Sequence, residues 1–136
     1  MKRVTGLGGV FFKCKDPEKV KEWYRTHLGI ESDRYGGKFE WLDPNAADKK
    51  CYTAWSPFSM NTKYFSPSEK PFMFNYRVEN LEALLEVLRK EGVNVVGEVE
   101  AYDYGKFGWI MDPEGNKIEL WEPVDENLKK DSKESV

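Results

Sequence analysis

The sequence predicts an α+β fold: two βαβββ modules whose strands form a cupped, half-barrel mixed sheet with the helices on the outside. Three observations predict it. Two segments of helical apolar spacing each follow one strand-like run and precede several more. The halves match at an offset of 63 residues, Asp16 with Glu79, Val20 with Ala83, Gly29 with Gly92 and Ile30 with Val93, which marks an internal duplication. The stretch Asp112–Pro123 reads as a strand end, a tight turn and a returning strand, with Pro113 at the first corner and Gly115 able to close the turn left-handed.

Residues 7–15 read as a strand entered through glycines. Asp16 caps a helix that has Pro17 in its first turn, Val20, Trp23, Tyr24, His27 and Leu28 at helical spacing, and Gly29 as its stop. His27 is the only histidine, and its place on that stripe predicts a packing role. Residues 30–35, 38–43 and 50–55 read as short strands, joined by Gly36-Gly37 and by the polar loop 43–48. The Pro- and Ser-rich residues 57–70 read as a linker. The order then repeats: strand 71–78, Asn80 as N-cap, a Leu81, Leu84, Leu85, Leu88 stripe, Gly92 as stop, and strands over 93–99, 106–111 and 117–121. One domain over residues 1–124 follows, with modules at about 4–56 and 71–123 and a charged, disordered tail at 125–136.

In each module a helix covers one sheet face and leaves the other concave, so two modules enclose a shared cavity. Along the last strand, Ile118 and Leu120 face the core, while Lys117, Glu119 and Trp121 share the opposite face. Glu119 is therefore placed in the cavity. Five Trp within a 15% aromatic content suit a dense core or a ring-lined cavity.

Composition narrows the partners. A net charge of −3 and a pI near 5.3 give no electrostatic case for nucleic acid. No apolar run reaches the roughly 20 residues of a membrane span, and Met1–Gly6 has no apolar signal core. Cys14 and Cys51 are too few and too scattered for a disulfide framework, which predicts reduced thiols and a cytoplasmic protein.

The segments Gly8–Asp16, Glu22–Ile30 and Asp112–Asn116 with Ile118-Glu119-Leu120 resemble the glyoxalase/bleomycin-resistance group, or vicinal oxygen chelate superfamily, over about residues 4–123. The resemblance implies divalent-metal ligands on the first and last strands of each module. Matched onto this chain, those positions fall at Gly9, at Thr53–Ser56, at Met73 and at Glu119, so only Glu119 retains a ligand and no metal cofactor is expected. It also implies that the fifth and eighth strands are neighbours, which places Glu119 near Met73 and Asn75, with Arg77 in reach. Asn75, Arg77 or a ring hydroxyl is expected to donate to the carboxylate. Phe72, Phe74, Tyr76 and Val78 are expected against the second helix. Phe11, Lys13, Tyr52 or Trp55, Trp109 or Phe107, and Trp121 complete the predicted walls, with Tyr102, Tyr104 and Gly105 in a loop able to act as a lid.

Three functions compete. One is a metal-free binder of a small aromatic or amphipathic molecule, the reading preferred on the emptied ligand positions. The second is a metal-dependent lyase, isomerase or dioxygenase, as many relatives of that group are. The third is a metal-free enzyme with Glu119 as general base and Arg77 stabilising an oxyanion. The resemblance further implies a homodimer.

Overall fold

The computed structural model describes residues 1–128. The chain runs β1 (Val4–Cys14), α1 (Pro17–Leu28), β2 (Gly37–Asp43), β3 (Ala46–Ser59), β4 (Phe72–Val78), α2 (Leu81–Lys90), β5 (Val95–Tyr102), β6 (Gly105–Met111) and β7 (Lys117–Pro123). Seven strands form one curved, unclosed sheet in the order β2-β3-β1-β4-β7-β6-β5. The duplication appears in the pairing: β1 lies parallel to β3, β4 lies parallel to β7, and the modules join where β1 meets β4 antiparallel.

Local chemistry sets these limits. Asp16 accepts from the Lys19 amide at 3.2 Å and Asn80 from the Ala83 amide at 3.2 Å, each satisfying an orphan donor of a first helical turn. Gly29 closes α1 in the left-handed region at φ 70°. In the β6–β7 turn, Asp112 accepts from the amides of Glu114 and Asn116, each at 2.9 Å, and Gly115 takes φ 80°. That turn fixes Trp109 opposite Glu119 and Phe107 opposite Trp121.

On the outer face, Leu81, Leu84 and Leu85 of α2 pack with Val78 and Leu120. Each such side chain, taken fully out of water, contributes about 1.5–3 kcal/mol. Gly108 lets α2 approach, since a Cβ there would sit 2.9 Å from Leu85 Cδ1.

Several expectations are corrected. Residues 30–35 form no strand, only a bridge between Asp33 and Gly36, with the Asp33 carboxylate accepting from the Tyr35 and Gly36 amides. The first module thus has three strands. β3 is far longer than 50–55, and Pro44-Asn45 makes a tight turn in place of a loop. His27 is exposed: α1 turns Val20, Tyr24 and the stem of Lys21 toward the sheet, and the Lys21 ammonium reaches the Arg34 carbonyl at 3.0 Å. Trp23, 53% exposed, packs its ring against that of His27 on the outside. Phe74 is 41% exposed because α2 lies over β5, β6 and β7, leaving the start of β4 uncovered. Residues 125–128 form a helical turn in place of a free tail, and 129–136 lie outside the described residues.

Candidate functional site

The sheet register brings four residues into one row across the floor of the cup: Ala54, Gly9, Asn75 and Glu119. Two of the four have polar side chains, and these meet. Glu119, 2% exposed, accepts from Asn75 Nδ2 on Oε1 at 2.6 Å. Its Oε2 accepts from Trp109 Nε1 at 2.9 Å and from the Tyr64 hydroxyl. A desolvated carboxylate needs donors or a proton, and this one has three donors. Burial, the larger influence, pushes its carboxyl above the usual range, and the three donors and Lys117 pull against that.

Tyr64 comes from the segment between β3 and β4. Burial and the neighbouring carboxylate push its phenol well up, so it stays a donor. Lys117, two residues before Glu119 on the same strand face, fixes it further: Nζ donates to the Tyr64 carbonyl at 2.7 Å and lies 5.4 Å from the rings of both Tyr64 and Trp109. Burial pushes the Lys117 ammonium down.

The next residue fills the cup. Phe65 is 0% exposed and packs with Phe11, Met73 and Trp109. Phe58 lies 5.2 Å from Phe65 and stacks on Tyr64 at 5.7 Å. The cup stays open in a groove of about 240 Å³ beside this plug, lined by Tyr64, Val96, Glu98, Glu100, Trp109 and Lys117 among others.

A family model described as Glyoxalase/Bleomycin resistance protein/Dioxygenase superfamily matches residues 6–120. The chain belongs to that superfamily. No curated protein sequence matches it. Among solved structures, methylmalonyl-CoA epimerase from Mycobacterium tuberculosis is 23% identical, covers 95% of each chain and gives a TM-score of 0.58. A Streptomyces coelicolor methylmalonyl-CoA epimerase variant in complex with 2-nitronate-propionyl-CoA is 14% identical, covering 89% of this chain and 99% of that one, with a TM-score of 0.66. An NAD-dependent benzaldehyde dehydrogenase from Legionella pneumophila is 16% identical, covering 85% and 98%, with a TM-score of 0.52. At these identities the likeness speaks for the glyoxalase fold.

The residues present do not fit the divalent metal that the glyoxalase superfamily implies. Gly9 and Ala54 supply no ligand atom, and the residue beside Glu119 is Asn75 instead of Met73. Asn75 turns its amide nitrogen to the carboxylate and its buried Oδ1 away, over Gly8, where a Cβ would lie 2.0 Å from it. Three hydrogens already point at the two carboxylate oxygens, and a cation would have to displace them. Among the described residues no three His, Cys, Asp or Glu side chains converge.

Phe11, Met73, Asn75 and Trp109 gather at Glu119 and the plug, as the sequence places them. Lys13 reaches the plug, its ammonium 5.6 Å from the Phe65 ring. Arg77 and Trp121 stand two residues further along the paired strands, and Arg77 bonds Asp125, not Glu119. Trp55 lies on the other face of the sheet, against Phe12 and Tyr24 of α1: its β1 partner is outward-facing Val10. Tyr52 bonds Glu40 through its hydroxyl, and Phe107 stacks on Trp121. Residues 102–105 form a tight turn, not a lid, with Tyr102 and Tyr104 stacked 5.3 Å apart and Trp121 Nε1 donating to the Tyr104 carbonyl at 2.9 Å.

Sequence reading missed Tyr64, Phe65, Lys117 and Asp125. An adjacent pair of rings inside a Pro- and Ser-rich stretch was the available signal for the plug. Lys117 was already on the Glu119 face by strand alternation.

Proposed function

We propose that this glyoxalase-superfamily chain binds a small aromatic or amphipathic molecule in the groove beside Tyr64, without a divalent metal. The use of Glu119 carries the reading: the carboxylate is committed to three protein donors, and the adjoining groove offers the Tyr64 and Trp109 rings and the Lys117 ammonium. Flat rings gain area and quadrupole contacts against such walls, and a few polar groups fix orientation. Acyl-CoA thioesters belong in the test because the epimerase structures of this fold are described in complex with 2-nitronate-propionyl-CoA and methylmalonyl-CoA.

Calorimetric titration with flat aromatics, amphipathic amines and acids, and acyl-CoA thioesters tests it. One class should bind near micromolar Kd, about −8 kcal/mol, and weaken about tenfold or more in Trp109→Leu and in Lys117→Met. Absence of binding by every class, or binding that neither substitution touches, contradicts it.

The alternative is a metal-free lyase or isomerase using Glu119 as acid–base. One observation favours it: burial holds the Glu119 carboxyl above its usual range, one hydroxyl away from the groove. Turnover that disappears in Glu119→Gln while ligand affinity persists would select that alternative. A cytoplasmic homodimer goes with either reading; both cysteines are free, and light scattering tests the dimer.

A further inference from the structure

The far pole of the cup holds a guanidinium arranged like a receptor for a carboxylate. Arg77, 3% exposed, lies with its guanidinium carbon 5.4 Å from the Trp41 ring and 5.2 Å from the Trp121 ring. Nη1 donates to the Tyr52 carbonyl at 3.1 Å. Its remaining bonds form a two-pronged pair with Asp125, Nη1 to Oδ1 at 2.9 Å and Nη2 to Oδ2 at 2.5 Å.

The parts differ in how they are held. Trp41, Tyr52, Arg77 and Trp121 stand on paired strands. Asp125 stands beyond the last strand on the turn 125–128, whose bonds among the described residues run from the Val124 amide to the Tyr104 carbonyl, from the Asn127 amide to the Val124 carbonyl, from Asn127 Nδ2 to the Asp103 carbonyl, and from Lys38 Nζ to the Leu128 carbonyl at 3.1 Å. The guanidinium half belongs to the sheet, and the acid half belongs to a turn that follows its last strand.

We propose that this pole is a binding site for a small carboxylate, which Asp125 occupies as a built-in competitor. The planar guanidinium fork accepts any carboxylate in the same two-pronged geometry, and the Trp41 and Trp121 rings over which it lies hold it in place for an incoming acid. Opening the turn without replacement would leave a buried cation unpaired, which is costly, so the site exchanges one carboxylate for another instead of standing empty. A tethered acid competes at an effective concentration in the millimolar range, so free ligand must exceed that or bind better. The guanidinium bonds Tyr52 and Asp125 while Glu119 bonds Tyr64, Asn75 and Trp109, so the two sites draw on different hydrogen-bond partners.

Benzoate, with benzamide as the uncharged control, is the probe on the full chain. Calorimetry should give benzoate binding about tenfold or more tighter in Asp125→Ala than in the wild type, no benzamide binding in either, and loss of benzoate binding when Arg77→Gln is added. In the wild type, benzoate at tens of millimolar should speed amide exchange at Asn127, whose amide bonds the Val124 carbonyl, and benzamide should not. Benzoate binding no tighter in folded Asp125→Ala, or surviving Arg77→Gln, overturns the site. Where Asp125→Ala does not fold, the wild-type exchange decides: an Asn127 rate that benzoate leaves unchanged overturns it as well.

Discussion

Replacing Tyr64 with Phe deletes one hydroxyl, keeps the ring on Phe58, and isolates the contact that closes the cup over Glu119. A hydrogen bond to an ionised partner is worth about 1.5–3 kcal/mol net, against about 0.5–1.5 kcal/mol for a neutral one. The loss therefore depends on whether Glu119 is ionised. Burial holds its folded carboxyl above the ordinary 4.5, so between the two values the folded chain holds a proton that the unfolded chain has released. This group's contribution is fully present below 4.5 and declines as pH rises through the raised folded value. Tyr64→Phe should cost about 0.5–1.5 kcal/mol near pH 4 and about 1.5–3 kcal/mol at alkaline pH, where the carboxylate is bare of one donor. Losing a donor to the ionised form also raises Glu119 further, which extends the declining window upward. Urea unfolding at a series of pH values reads both effects, with Glu119→Gln as the control that lacks the slope. A Tyr64→Phe profile parallel to the wild type and within about 0.5 kcal/mol of it would refute the contact.

Phe65→Ala should destabilise the chain by about 3–5 kcal/mol, read as a lowered urea midpoint, because a fully buried ring leaves a hole among Phe11, Met73 and Trp109. Gly8→Ala should cost about 1–3 kcal/mol: the new methyl would fall 2.0 Å from Asn75 Oδ1 and 3.1 Å from Arg77 Cγ, which forces Asn75 off Glu119.

What the sequence made legible is what short-range chemistry dictates. Asp16 and Asn80 cap, Gly29 and Gly115 take left-handed turns, and strand alternation sends Glu119 inward, each within a few residues of its cause. The family resemblance supplied the strand neighbours, and the Asn75–Glu119 contact followed from them. Long-range packing was not legible. Period counting set Trp23 and His27 on the buried stripe of α1, because it ranks residues by polarity and cannot see a Lys21 stem lying on the sheet. Composition made residues 57–70 a linker, yet Phe65 leaves solvent for three apolar neighbours in the cup, and Tyr64, its residue still exposed, reaches its hydroxyl in to Glu119. Charge made the tail a solvated one, while a buried Arg77 drew Asp125 out of it. Trp55 went to the wrong face because the facing of the fourth expected strand depended on its pairing with β1.

Metal content measured on protein purified without chelator, followed by titration with zinc, manganese and nickel ions, probes most directly whether Glu119 is held by protein donors in place of an ion. Well under one ion per chain, no stoichiometric uptake, and no change in Glu119→Gln are expected. One tightly held ion per chain that disappears in Glu119→Gln would contradict it.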